Sequence, residues 1–201
     1  MLQLLEAKEV FSAVAIVLTF IAFGPYILSI WRGKARPHAF SWVIWGAGTI
    51  VVAIAQLSDM AGAGAWPIAL SGVITIGVAA LAFLKAGDTR FLRVDWVFLL
   101  LAASALPLWY ATSEALSAVV ILTFVDLLGF GPSVRKVIQL PHEENATFFG
   151  LGALRNGFVL LALEHYSWTT ALFPAAVGGA CIAFAALILI RRRAVGSPLA
   201  S

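Results

Sequence analysis

Apolar runs of about 20 residues, parted by short loops that hold nearly all of the charge, follow one another along this chain. A run of that length crosses a hydrocarbon core as one helix, and the hydropathy pattern predicts seven of them. They cover residues 10–31, 39–58, 64–85, 95–112, 115–136, 146–164 and 168–190. With 62% hydrophobic and 11% charged residues and a mean hydropathy of +0.98, the composition argues against a water-soluble globular fold. The expected fold class is an all-α integral membrane protein. Residues 1–201 form a single membrane domain with no room for a separate soluble one.

The loops predict the orientation. Arg32, Lys34, Arg36, Lys85, Arg90, Arg93, Arg135, Lys136, Arg191, Arg192 and Arg193 follow helices one, three, five and seven, which puts eleven of the thirteen basic residues on one side. The opposite loops carry Asp59, Glu114 and Glu164, and Lys8 lies outside the spans. The positive-inside rule then sets the N-terminus outside and the C-terminus in the cytoplasm, which requires an odd number of spans. The net charge of +3 is therefore a topology signal, and basic residues dispersed over helix ends give no footprint for nucleic acid. Lys8 stands between Glu6 and Glu9, and the apolar run after it is too long for a signal-peptide core, so helix one is expected to be retained.

Phe-Gly-Pro occurs at Phe23-Gly24-Pro25 and again at Phe130-Gly131-Pro132, 107 positions later. The same offset relates Pro67 to Pro174 and Gly72 to Gly179, and the order of apolar spans and basic loops repeats with them. A duplicated three-helix unit accounts for this pattern: repeat one over 10–85, a linker helix over 95–112, and repeat two over 115–193. Pro25 and Pro132 each remove a main-chain donor, so bends are expected near the carbonyls of Ile21 and Leu128, and both prolines are candidate hinges.

Little in the chain suggests catalysis or a cofactor. Cys181 is the only cysteine, and His38, His142 and His165 fall in three separate loops, so neither a disulfide nor a metal site is expected. No nucleophile-base motif, phosphate loop or carboxylate pair stands out, and the chain is not expected to be an enzyme. Trp31, Trp66, Trp96, Trp109 and Trp168 sit at predicted helix ends, as interfacial anchors do. Trp42 and Trp45 differ, because their spacing gives them one helix face that Thr49 continues a turn deeper. That face suits stacking on a solute with a hydrogen bond from the hydroxyl, or it belongs to the inner aromatic belt.

Two charges lie inside predicted spans. Asp126 is nine residues before Arg135 and Arg155 is nine residues after Ala146, which puts both about 13 Å from the same end of antiparallel neighbours. Matched depth predicts an Asp126–Arg155 pair, because an isolated charge there costs several kcal/mol. Such a pair either locks helices five and six or serves transport, and it favours uniport over proton coupling. Asn156 adds a neutral polar group beside it.

Seven helices in a three-one-three order, an outside N-terminus and a proline late in the first helix of each triplet resemble the SWEET, SemiSWEET and PQ-loop superfamily of small-solute transporters. Tyr26 and Ser133 stand where its PQ signature has glutamine, helices two and six lack proline, and Ser71 and Thr75 are the only hydroxyls in helix three. The Trp42-Val43-Ile44-Trp45 string is similar to the WxxW motif of PnuC-type vitamin transporters. The chain also resembles bacterial membrane proteins of this plan that carry Ser-Trp-x-x-Trp after a basic loop and an Asp in helix five. These resemblances imply a facilitator or secondary transporter of a small polar solute in a bacterial inner membrane. Trp42, Trp45, Thr49 and Asn156 are its substrate-binding candidates, and the lipid bilayer and the solute are its partners. A membrane scaffold or sensor that uses the same fold without moving solute is the other reading.

Overall fold

The computed structural model describes residues 2–33, 37–85, 93–143 and 145–195. Lys34, Arg36 and Arg90 of the basic loops lie outside the described residues, as do the side chains of Pro132, Arg135 and Lys136. An apolar medium offers no partner for backbone N–H and C=O groups, and helices satisfy them within one segment. The described residues form α1 (Leu2–Trp31), α2 (Ala39–Ser58), α3 (Ala65–Leu84), α4 (Arg93–Thr112), α5 (Ala115–Leu128), α6 (Phe130–Gln139), α7 (Ala146–Ala162) and α8 (Trp168–Val195). Single 3-10 turns cover Gly62–Gly64 and Pro141–Glu143, and no strand occurs among the described residues.

Five segments are long and apolar enough to cross a membrane: Leu5–Trp31, Ala39–Ser58, Gly62–Leu84, Arg93–Thr112 and Trp168–Val195. The 17-residue α7 and the 14-residue α5 are apolar but shorter, about 25 and 21 Å at 1.5 Å per residue. Where one helix is predicted over 115–136, the structure has two, parted at Gly129. Pro132 cannot donate to the carbonyl of Leu128 and Gly129 is a poor helix former, so both weaken the backbone at one point. Pro25 has no such effect, and α1 is helical without interruption from Leu2, well before the predicted start at residue 10. Helix α8 likewise continues past 190 to Val195.

Side-chain contacts define two ends of the bundle. At one, Lys85 lies 4.3 Å from the Trp31 ring centroid, and Arg191 and Arg192 donate to the carbonyls of Ile138 and Pro141. His38 approaches the buried Asp95 at 3.6 Å there, joining the starts of α2 and α4. At the other end Lys8 donates to Leu161 O, Glu164 accepts from the N–H of Ala63, and Ser167 donates to Asp59. The described basic loop residues thus gather at one end, while Asp59 and Glu164 lie at the other.

Within the bundle α3 packs between α1 and α2, and α8 packs between α5 and α7. Further contacts join α1 to α7 and α2 to α5, which closes a ring in the order α1, α3, α2, α5, α8, α7. Helix α4 lies against α5 and α2. The α2–α3 seam is the closest: a Cβ on Gly46 would come within 2.9 Å of the Ile76 backbone nitrogen, and one on Gly72 within 3.0 Å of that of Ile50. Small residues let two helix backbones approach where dispersion, not the hydrophobic effect, drives association.

Pro67 and Pro174 deprive the carbonyls four residues earlier, Ala63 and Thr170, of a helical donor. Side chains from other helices take their place. Ser12 Oγ of α1 donates to Ala63 O at 2.7 Å, and Gln56 Nε2 of α2 donates to Thr170 O at 2.6 Å. We expect Ser12→Ala to lower stability by about 1–2 kcal/mol. Pro67→Ala restores a backbone donor, so in that background the loss should shrink by at least about 0.5 kcal/mol. Chemical denaturation of the single and double variants in micelles measures this coupling, and full additivity would refute it.

Candidate functional site

Arg155 reaches from α7 into the ring and is buried there. Its Nε donates to Thr19 Oγ1 of α1 at 3.0 Å and one terminal nitrogen donates to the Pro67 carbonyl of α3 at 2.7 Å. The other terminal nitrogen donates to Asn156 Oδ1 at 3.4 Å. Thr19 is held in turn by its own bond to Ala15 O. A cation in an apolar surround is tolerated when its N–H groups are satisfied, and here three neutral acceptors do so.

The Asp126–Arg155 contact expected from matched depth does not form. Both residues do lie inside the ring and interact electrostatically, but no carboxylate oxygen comes within ion-pair distance of the guanidinium. The two side chains belong to different halves of the interior: Arg155 is turned to α1 and α3, and Asp126 faces α2 and α8. Among the described residues the Asp126 carboxylate has no hydrogen-bond partner.

Asp126 lines a small cavity with Trp45, Gly48 and Thr49 of α2, closed by Leu122, Val125 and Phe173. Its volume of about 10 Å³ is near the minimum for one water. Thr49 is 7% exposed and, like Asp126, has no hydrogen-bond partner among the described residues. The Trp45 indole is seated on Gly129, where an added Cβ would meet its ring at 2.6 Å. The break between α5 and α6 therefore also makes the seat for this ring.

The tryptophan pair divides. Trp42 stacks on Tyr26 of α1 with ring centroids 5.2 Å apart and meets Phe23 edge-on at 6.3 Å, so only Trp45 faces the cavity. The two indoles touch edge-to-face at 5.8 Å. Asn156 is likewise away from the cavity: its Nδ2 donates to Gly152 O, and its Cβ packs against Gly178. Pro25 lies in an unbroken helix, and Pro132 lies three residues after the turn at Gly129. Trp31, Trp66, Trp96 and Trp168 are more than half exposed on the bundle surface, whereas Trp109 packs on the main apolar cluster.

A wider cavity of about 370 Å³ opens at the end that carries Glu164. Glu9, Ser12 and Trp66 line it together with Glu164. Comparison with known proteins identifies no family. No family model matches, and neither a curated protein nor a solved structure is similar to the chain.

The seat at Gly129 is directly testable. Gly129→Ala should displace the indole and lower stability by about 1–3 kcal/mol, against the helix-propensity gain of about 1 kcal/mol. Gly131, where a Cβ meets open space, serves as the control, and Gly131→Ala should be neutral or stabilising. Thermal unfolding of both variants decides, and equal behaviour would remove the seat.

Proposed function

We propose that this chain is a facilitator or secondary transporter of a small polar solute, built from two three-helix repeats that alternate access to a site between them. Repeat one is α1 to α3, repeat two is α5 to α8 with α5 and α6 as one broken span, and α4 is the linker. The observation that carries the reading is the neighbour pattern of the ring. Exchanging α1 with α5, α2 with α7 and α3 with α8 returns the same set of contacts: α1–α3 becomes α5–α8, α2–α3 becomes α7–α8, and α1–α7 becomes α5–α2. The 107-residue offset in the sequence and the pairs Pro67/Pro174 and Ala63/Thr170 support the same exchange. Related units that face each other across a central site are the working geometry of repeat transporters.

In this reading seven spans cross a bacterial inner membrane with the N-terminus outside, and the basic end of the bundle lies in the cytoplasm. The polar interior holds the solute, the break at Gly129 and Pro132 gives α5 and α6 freedom to move, and the wider cavity is the outer vestibule. The structure then corresponds to a closed conformation. The tightness of the central cavity, capped by Leu122 and Phe173, also suits the second reading of a scaffold or sensor that moves no solute.

Flux into proteoliposomes, screened over sugars, amino acids, nucleosides and amines, separates the two. Transport should fall severalfold in Trp45→Leu and remain in Trp168→Leu, which alters an exposed surface indole. Flux with no solute in any class would leave the scaffold reading. A reporter fused after Arg193 should be cytoplasmic and a tag before Glu6 external, and both ends on one side would remove the seven-span plan.

A further inference from the structure

The repeat exchange relates the two halves of the interior residue by residue, and the inference that follows rests on it. At the 107-residue offset Thr19 corresponds to Asp126, Gly48 to Arg155, Thr49 to Asn156, and Pro67 to Pro174. In one half the Arg155 guanidinium occupies the space between these positions, bonded to Thr19, Asn156 and the Pro67 carbonyl. In the other half the residue equivalent to Arg155 is Gly48, which has no side chain. The cavity lies there, bordered by Gly48, Thr49, Asp126 and by Phe173, the neighbour of Pro174.

We propose that this cavity binds a small organic cation bearing N–H donors, a guanidinium or primary ammonium group, in the place where the other repeat holds its own arginine. The resident guanidinium is satisfied in part by a hydroxyl at position 19, and the half with Gly48 offers a carboxylate at the equivalent position, a stronger acceptor for a cation. Thr49 supplies a second acceptor, buried and without a protein partner, and the Trp45 ring lines the same cavity. An indole face attracts a cation, so all three groups favour the same charge. The volume admits one water-sized group in this conformation, which matches the –NH3+ head alone, so the carbon of a primary ammonium also calls for the cavity to widen. A guanidinium requires α5 to shift against α2, and the helix break at Gly129 lies one turn from Asp126 to permit it.

The test is equilibrium binding to the purified full chain in micelles, read by the unfolding midpoint at constant ionic strength. Methylammonium and methylguanidinium are the probes, with sodium, tetramethylammonium and neutral methanol as controls. The two N–H cations should raise the midpoint in a saturable way, and the controls should not. Asp126→Asn should weaken binding at least about tenfold, the scale of a lost charge-assisted hydrogen bond, and Thr49→Val by severalfold. Gly48→Arg places a guanidinium in the cavity from the chain itself. Its Cβ comes within 3.3 Å of the Leu122 side chain, its guanidinium calls for the same shift of α5 against α2, and it should abolish probe binding.

Equal stabilisation by sodium or tetramethylammonium would overturn the proposal, as would binding unchanged in Asp126→Asn. Should either charge variant fail to fold, Thr49→Val decides, and unaltered affinity there refutes the site. Binding with the expected variant pattern but no flux of either probe would retain the site and reject transport of these cations, leaving the wider solute screen to decide the transport reading.

Discussion

The buried guanidinium of Arg155 organises the interior, and much else follows from how it is satisfied. A cation withdrawn from water costs several kcal/mol unless every nearby dipole is turned towards it. Its three acceptors come from α1, α3 and α7, so the bonds that stabilise the charge also fix these three helices relative to one another. The acceptors are neutral, and the carboxylate that matched depth offers as a partner is left without a contact. One half of the ring is thereby filled and cross-linked, while the half formed by α2, α5 and α8 keeps an acid, a hydroxyl and a small void.

Proline shapes both halves in the same manner. Each of Pro67 and Pro174 exposes a carbonyl near the start of its helix, α3 or α8, and a polar side chain from a neighbouring helix meets it. A peptide group without a partner in an apolar surround costs more than the helix gains from Ala in place of Pro, so these donors are required once the prolines are present. Gln56 shows the limits of such repairs, since its Oε1 is buried and unpartnered while its Nε2 is used. The two donors differ in reach: Ser12 of α1 meets the turn that leads into α3, and Gln56 of α2 crosses to α8.

Helix positions were legible because apolar length and loop charge act locally, and predicted and observed bounds of α2, α3 and α4 differ by two residues or fewer. The break at Gly129 was half legible, since Pro132 marked the weakened carbonyl but an equivalent proline left α1 continuous. Two things distinguish them: Gly129, where the position equivalent by the 107-residue offset is Ala22, and the Trp45 ring seated on Gly129, a contact between residues 84 positions apart. Spacing assigns Trp42 and Trp45 to one face, but Trp42 meets Tyr26 of α1 while Trp45 meets Gly129 at the α5–α6 break. Depth brought Asp126 and Arg155 to one level, but helical depth does not fix the direction in which a side chain leaves its helix. Thr19 and the Pro67 carbonyl lie 136 and 88 residues from Arg155, and nothing local marks either as its acceptor.

If the two halves are repeats, as proposed, their departures from symmetry share one physical reason. A perfectly repeated interior would present either two resident cations, which repel, or two empty cavities, which leave the ring without its strongest cross-link. Replacing one arginine by Gly48 and one hydroxyl by Asp126 avoids both, because the positive charge stays on one side and the negative charge faces the space on the other. The carboxylate then feels Arg155 only through space and retains its hydrogen-bonding capacity for whatever enters. On the proposed duplication, divergence at two positions is sufficient to turn one half of the bundle into its brace and the other into a candidate cation site.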